Sequence, residues 1–243
     1  MAYIMIKVGC CGLGFFSPKE NFGKDWKSSY SSRLQAYSAL FDVIEIDSTF
    51  YKLPMLKTAE KWHSEATRTN KGFEFIAKAP KEITHTYKFD SKAAEYLDDF
   101  LKVAKALNSK KILFQTAASF SYNMKNLENV KDFFSTIKGH DIIWEPRGNW
   151  LTDGINDLVK YCEGSGVVLC TDPLRSEPEI SQRFYYYRLH GFGRGMMYSY
   201  RFSDDELRKV ASVANRRGAE AKTYIMFNNT YMYEDAARLK SIL

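Results

Sequence analysis

Phe184-Tyr-Tyr-Tyr-Arg-Leu-His190 opens on four aromatic residues and ends on groups that carry or can acquire charge. Successive side chains of a strand point to opposite faces, so Tyr186, Arg188 and His190 share one face and Tyr185, Tyr187 and Leu189 the other. A strand of a parallel sheet is buried on both faces and is expected to be apolar throughout. This one is apolar at its start and turns polar, on one face, at its end. The same pattern recurs along the chain. Strand candidates fall at 6–11, 43–47, 73–78, 111–115, 141–147, 167–172 and 223–228 beside 184–190. Their inward positions are Val43, Glu45 and Asp47; Ile76 and Lys78; Leu113 and Gln115; Ile143, Glu145 and Arg147; Val168, Cys170 and Asp172; Tyr224, Met226 and Asn228. Strands two to eight thus each end on a group that can hydrogen-bond or titrate.

Between the strands lie amphipathic helical patterns at 25–40, 55–67, 91–107, 123–138, 152–163, 203–217 and 231–243. Strict alternation of strand and helix predicts a parallel α/β fold. The segment 173–183 is too short and too Pro-rich for a full sixth helix. Eight strands closing on a final helix predict one (β/α)₈ TIM-like barrel over 1–243, its sixth crossover helix shortened or absent. The connections are lopsided. Helix-to-strand links are tight (Asn70-Lys-Gly72, Asn108-Ser109, Gly139-His140, Gly164-Ser-Gly166), whereas several strand-to-helix links are long and rich in aromatic and polar residues. In such barrels the site is built from the second set.

The 243 residues carry a net charge of +6, with 45% hydrophobic and 26% charged side chains, the balance of a globular chain with an ample core. No apolar run reaches the roughly 20 residues that span a bilayer, and Met1–Lys7 lacks the features of a signal peptide. No membrane partner and a cytoplasmic location are expected. Cys10, Cys11, Cys162 and Cys170 form no C-x-x-C pair, and Cys10 and Cys11 point to opposite faces, so small buried residues are expected.

The runs Phe41-Asp-Val-Ile-Glu-Ile-Asp-Ser-Thr-Phe-Tyr-Lys-Leu-Pro54, Phe73-Glu-Phe-Ile-Ala-Lys-Ala-Pro-Lys-Glu-Ile-Thr-His85, Ile112-Leu-Phe-Gln115, Trp144-Glu-Pro-Arg-Gly-Asn-Trp150, Tyr187-Arg-Leu-His-Gly191 and Phe227-Asn-Asn-Thr230 resemble the YecE-like family. The resemblance spans nearly the whole chain. It implies an eight-stranded barrel of unknown function. The chain departs from the family pattern at Cys10-Cys11 and Leu13 (Thr-Ser and Trp expected), at Asp47 (Asn), at Gly148 (His), and at Thr116-Ala-Ala-Ser119, where a proline-rich stretch is expected.

The residues themselves favour acid–base chemistry on a polar or anionic small substrate. Glu145, Glu45, Lys78 and His190 are the proton carriers a hydrolase, lyase or isomerase would use. Arg147 beside Glu145 should hold that carboxyl low, and the like-charge pair Glu45 and Asp47 should raise one of the two. Asp47, Tyr51, Gln115, Arg147, Asp172, Arg188 and Asn228 are candidate substrate contacts. Gly191-Phe-Gly-Arg-Gly195 offers an anion grip through Gly193 and Arg194, since barrels often bind phosphate after strands seven and eight. No cofactor is firmly implied. A single Mg²⁺ or Mn²⁺ would find oxygen ligands in Glu45, Asp47, Glu145 or Asp172. A zinc cluster is not expected, because His140 opens strand five at the wrong end and His63 sits in a helix. The alternative is a nucleic-acid-binding or nuclease-like barrel reading DNA or RNA with aromatic and basic loops: Phe15, Phe16 and Trp26; Phe50, Tyr51 and Lys52; Tyr87 and Lys88; Arg194, Tyr198, Tyr200 and Arg201. Oligomeric state is not legible.

Overall fold

The computed structural model describes residues 5–192 and 199–243. Eight parallel strands close one barrel in chain order: β1 (Ile6–Cys11), β2 (Val43–Ile46), β3 (Glu74–Lys78), β4 (Lys111–Gln115), β5 (Asp141–Glu145), β6 (Val168–Thr171), β7 (Phe184–Leu189) and β8 (Lys222–Phe227). The helices are α1 (Pro18–Phe22), α2 (Arg33–Leu40), α3 (Leu56–Thr69), α4 (Leu97–Ala106), α5 (Met124–Ser135), α6 (Ile155–Ser165), α7 (Asp204–Glu220) and α8 (Met232–Ile242). The expected eight-stranded parallel barrel is the observed fold, and no helix is long and apolar enough to cross a membrane among the described residues.

Local chemistry accounts for the boundaries. Ser203 starts α7 with a reciprocal capping box to Glu206. The helix expected over 25–40 is divided: a 3₁₀ turn at Trp26–Ser28 precedes α2. The hydroxyl-rich run Ser28-Ser-Tyr-Ser-Ser32 competes for backbone groups, and the Ser32 side chain caps α2 by accepting from the Gln35 amide. Strands 2, 5, 6, 7 and 8 end one or two residues earlier than their sequence patterns suggest. Asp47, Arg147, Asp172, His190 and Asn228 therefore sit just past the strand ends, Asn228 still donating its amide to the Leu189 carbonyl.

Between β6 and β7 the chain runs without a helix, as expected. The Gln182 side chain stands in for a neighbouring strand there, its Oε1 accepting from the Leu169 amide at 2.5 Å and its Nε2 donating to the Leu169 carbonyl at 3.4 Å. The missing helix leaves an outer depression of about 630 Å³ beside α6 and α7. Its carboxylates Glu177 and Glu220 are already paired with Arg216 and Arg217.

Apolar side chains form two cores. The larger lies between the strands and the helical layer, where Phe114, Trp144 and Leu189 meet residues such as Phe100, Phe133 and Leu207. The smaller fills the barrel: Cys11, Val43, Ile76, Leu113, Ile143, Val168, Cys170, Phe184, Tyr186, Tyr224 and Met226. Alternation had assigned nine of these, all but Cys11 and Phe184, to inward positions. Below this apolar plug, at the N-terminal ends of the strands, Glu74 is held by Lys7 (2.9 Å), Lys111 (3.5 Å), Lys222 and the Tyr224 hydroxyl (2.6 Å). Above it lies a second ionic layer.

Candidate active site

Arg188 organises the upper layer. It projects from β7 into the lumen with no exposed surface. Its Nη2 and Nε donate to Oε1 and Oε2 of Glu45 on β2, at 2.7 and 3.1 Å, in the bidentate fork that suits a carboxylate. Its Nη1 donates to Glu145 Oε2 on β5, at 2.5 Å. Glu45 also accepts from the Tyr186 hydroxyl at 2.6 Å. Gln115, paired with Glu145 in the β4–β5 register, donates to Glu145 Oε2 at 2.9 Å. On its other oxygen, Glu145 meets Arg147 Nη2 at 2.7 Å and His190 Nε2 at 3.1 Å. Asn228 Nδ2 stands 3.4 Å from His190 Nδ1. Arg147 Nη2 also lies 2.9 Å from His190 Nε2, so Nε2 is shared between Glu145, whose carboxylate accepts, and Arg147, which only donates.

The remaining groups extend this network sideways. Asp47 lies 3.4 Å from Lys78 Nζ and 3.5 Å from Arg188 Nη2. The Lys78 ammonium rests 4.7 Å above the Phe50 ring, and His85 packs edge-on against the same ring. Asp172 caps the turn after β6, accepting from the Leu174 amide at 3.0 Å, with Arg175 Nε 3.5 Å from its Oδ2.

Environment sorts the carboxyls. Burial alone would raise Glu145, but Arg188, Arg147 and the His190 hydrogen bond outweigh it and hold the group well below the ordinary range. Glu45 is pushed up to about 8 by burial, with Asp47 adding to the rise and Arg188 opposing it. Burial would raise Asp47 too, yet Lys78 and Arg188 bring it down. The like-charge pair is thus split, as the sequence suggested. Burial raises Asp172 to about 6. His190 is pushed down by burial against the pull of Glu145, so the imidazole is neutral at pH 7.

Glu45, Lys78, Gln115, Glu145, Arg147, Asp172, Arg188, His190, Asp47 and Asn228 therefore meet at one end of the barrel. Tyr51 does not join them: it is 74% exposed, its ring touching Phe50 from outside. Gly193 and Arg194 lie outside the described residues. The aromatic loops are mostly packed inward: Phe16 lies against Tyr37 and Tyr233, Tyr87 stacks on Tyr96, and Tyr200 donates to Glu206. Phe15 and Tyr51 remain exposed.

Sequence reasoning missed several participants. His85 sits on a π-helical turn (Glu82–Thr86), a distortion frequent at functional sites. Burial and the positive charges of Lys78, Arg147 and Lys88 push its imidazole pKa down. Tyr186 had the correct face but the look of a core residue. Arg175 carries no periodic signal. Cys11 faces inward, 3.7 Å from Arg188, while Cys10 faces outward to the Met232 carbonyl.

Cys11, Glu45 and Asp47 each bring one ligand atom within 4.8 Å of the others. The fit to Mg²⁺ or Mn²⁺ is poor. A thiol is a soft ligand, and both carboxylates already hold Arg188 or Lys78, which a cation would have to displace. His63 lies on α3 and His140 binds the Ser109 carbonyl, both away from this end.

Two departures from the family pattern prove to be neighbours. Gly148 has φ of 78°, and a Cβ there would lie 2.7 Å from the Ala118 carbonyl oxygen. The loop Thr116-Ala-Ala-Ser119 closes over the backbone of residue 148, so only glycine fits beneath it.

Over 136 residues the chain is 32% identical to the UPF0759 protein YunF of Bacillus subtilis (strain 168), a match covering 51% of this chain and 44% of that protein, less than half the relative's length. A crystal structure of a DUF72 family protein from Enterococcus faecalis V583 matches with a TM-score of 0.79 at 18% identity, covering 98% of this chain and 95% of the other. A DUF72 family protein from Thermotoga maritima MSB8 gives 0.75 at 20% identity over 98% of each chain. At such identities the likeness is one of fold. The family model described as "Protein of unknown function DUF72" spans residues 7–242, and the chain belongs to that family.

Proposed function

We propose that this barrel is an enzyme performing acid–base chemistry on a small polar or anionic substrate at the C-terminal ends of its strands. The carrying observation is the chain of ionisable groups Glu45–Arg188–Glu145–His190, continuous and almost wholly buried. Burying ions costs several kcal/mol each and rarely adds net stability, so such a layer is better explained by function.

Its parts take different roles. Glu145 stays ionised and orients His190 and Arg147 as a positioning group, instead of the base its sequence position suggested. Glu45 is sealed beneath Arg188 and Tyr186 and anchors the guanidinium from behind. Asp172, with its raised carboxyl, and neutral His190 line a cavity, and they are the groups placed to exchange a proton with a substrate. Lys78 and Arg147 supply the positive charge that favours an anion.

The test is solvent-proton exchange. Small hydroxy acids and carbonyl compounds, with and without phosphate, are incubated with the protein in D₂O and followed by NMR. Protein-dependent deuterium incorporation, lost in Asp172→Asn and His190→Gln, supports the reading. Exchange that survives in both variants removes these two residues from it.

The exposed Phe15 and Tyr51 favour a second reading, single-stranded nucleic acid bound by stacking. Its signature is a steep fall of affinity with salt. A flat salt response dismisses it.

A further inference from the structure

At the ends of β5, β6 and β7 lies a cavity of about 110 Å³, lined by Glu145, Pro146, Arg147, Leu151, Cys170, Thr171, Asp172, Arg175, Ser176 and His190. Two of its polar atoms are buried without a hydrogen-bond partner among the described residues: Arg147 Nε, a donor, and Asp172 Oδ2, an acceptor. A buried donor or acceptor left unsatisfied is destabilising. Two such atoms of opposite sense in one cavity specify a ligand that accepts at one end and donates at the other. Arg147 is a cation, so the accepting end is best met by an anionic oxygen. Asp172 is a carboxyl on a buried turn; Arg175 Nε stands 3.5 Å from its Oδ2, too long for a good hydrogen bond, and a hydroxyl suits the accepting capacity that remains. Pro146, Leu151 and Cys170 give the space between an apolar wall. The space suits a small polar molecule of a few carbon and oxygen atoms.

We infer that this cavity binds a short 2-hydroxycarboxylate of the size of lactate, its carboxylate on Arg147 Nε and its hydroxyl on Asp172 Oδ2. The assignment rests on the proposed acid–base reading for its location and adds the substrate class. Glu145 fixes the position of Arg147 by holding its Nη2, while Nε has no hydrogen-bond partner among the described residues. The hydroxyl is the selective element, because a buried polar group rejects an analogue that leaves it unpaired.

Isothermal titration calorimetry of the full chain with lactate, propionate, 1,2-propanediol and inorganic phosphate tests this. Lactate is expected to bind at least about tenfold more tightly than propionate, the equivalent of one hydrogen bond to a charged group, and more tightly than the diol. Asp172→Ala should erase the preference over propionate. Arg147→Leu should weaken lactate and propionate alike, and its thermal midpoint reports whether the chain still folds. Equal affinities for lactate and propionate, stronger binding of phosphate than of lactate, or no lactate binding at 50-fold molar excess over about millimolar protein would each overturn the assignment; this range reaches the weak end of specific small-ligand affinities. Lactate selectivity without deuterium exchange on any compound keeps the cavity assignment and removes the catalytic reading. Exchange on compounds lacking a hydroxyl, with no lactate preference, does the reverse.

Discussion

The two ends of the barrel each hold an ionic cluster, and they are built on opposite plans. At the N-terminal end one carboxylate, Glu74, is surrounded by Lys7, Lys111, Lys222 and Tyr224. Glu74 and its three lysines are partly exposed, and burial is outweighed by its partners, so Glu74 falls to about 2. At the C-terminal end the carboxyls of Glu45, Asp47, Glu145 and Asp172 share Lys78, Arg147, Arg175 and Arg188 unequally. Glu145 is driven down while Glu45 and Asp172 are driven up, and Arg147 Nε, Asp47 Oδ1 and Asp172 Oδ2 have no hydrogen-bond partner among the described residues. One cluster is satisfied and reads as stability. The other retains strain in its proton affinities, which suits a working site.

The sharpest test of that contrast is removal of the central cation at each end. Arg188→Met strips Glu45 of its cation and leaves Glu145 with Arg147 alone, and breaking a buried pair this way should cost about 3–5 kcal/mol in urea unfolding. Lys222→Met removes one of three lysines around a partly exposed carboxylate and should cost at most about 1 kcal/mol. Equal losses would make the two ends energetically alike.

Function divides the ends next. Once a turnover is in hand, Asp172→Asn should lower it by about 10²–10⁴-fold, whereas Glu74→Gln should leave it unchanged. Glu145→Gln leaves Arg188, Arg147, Gln115 and His190 facing an amide in place of a carboxylate. A loss of about 1–3 kcal/mol in stability is expected, together with loss of the His190 orientation, read as a shift in the pH–rate profile.

Glu74 and Glu45 answer pH with opposite signs. A depressed carboxyl contributes stability above its unfolded value and loses it on acidification, so Glu74 should weaken the protein as pH falls from about 4.5 to about 2. A raised carboxyl binds its proton more tightly in the folded chain. The contribution of Glu45 is complete below about 4.5 and is lost as pH rises through about 8. Glutamine mimics the protonated carboxyl, so the thermal midpoint of each Gln variant should lie nearest the parent's in acid; as pH rises, Glu74→Gln should fall below the parent and Glu45→Gln should gain on it. The smallest effect is reserved for the rim: Tyr51→Ala, exposed and outside the network, should stay within about 0.5 kcal/mol of the parent.

Most of the fold was legible because its signal is local. Alternation placed Val43, Ile76, Leu113, Ile143, Val168 and Tyr224 inside the barrel, and short links against long ones told top from bottom. The upper layer was legible for the same reason: Glu45, Glu145 and Arg188 sit on inward positions. The pairing among them was not. Arg188 reaches from β7 to β2 and β5, and which inward residues share a level depends on the shear of the closed barrel, which no single strand encodes. Tyr51 and His85 show the limit most plainly. Both lie on strand-to-helix loops beside Phe50, and only a π-helical turn turns His85 toward the charges while Tyr51 points away. No periodicity governs such residues.

The helix-free link between β6 and β7 sets how the barrel breathes. β6 is registered with β5 at Ile143–Val168 and Trp144–Leu169 and with β7 at Cys170–Tyr186 and Thr171–Tyr187, while β7 and β8 run together from Phe184–Lys222 to Leu189–Phe227. Outside it, the side chain of Gln182 does the work of a neighbouring element. Amide protection is lowest where ladders are short and cover is thin. The β6 amides are then released by a smaller opening than those of β7 and β8, and the strand carrying Asp172 becomes a seam in an otherwise continuous wall. A molecule bound beside Asp172 would knit that seam, so deuterium uptake along β6 should register occupancy there before any product is identified.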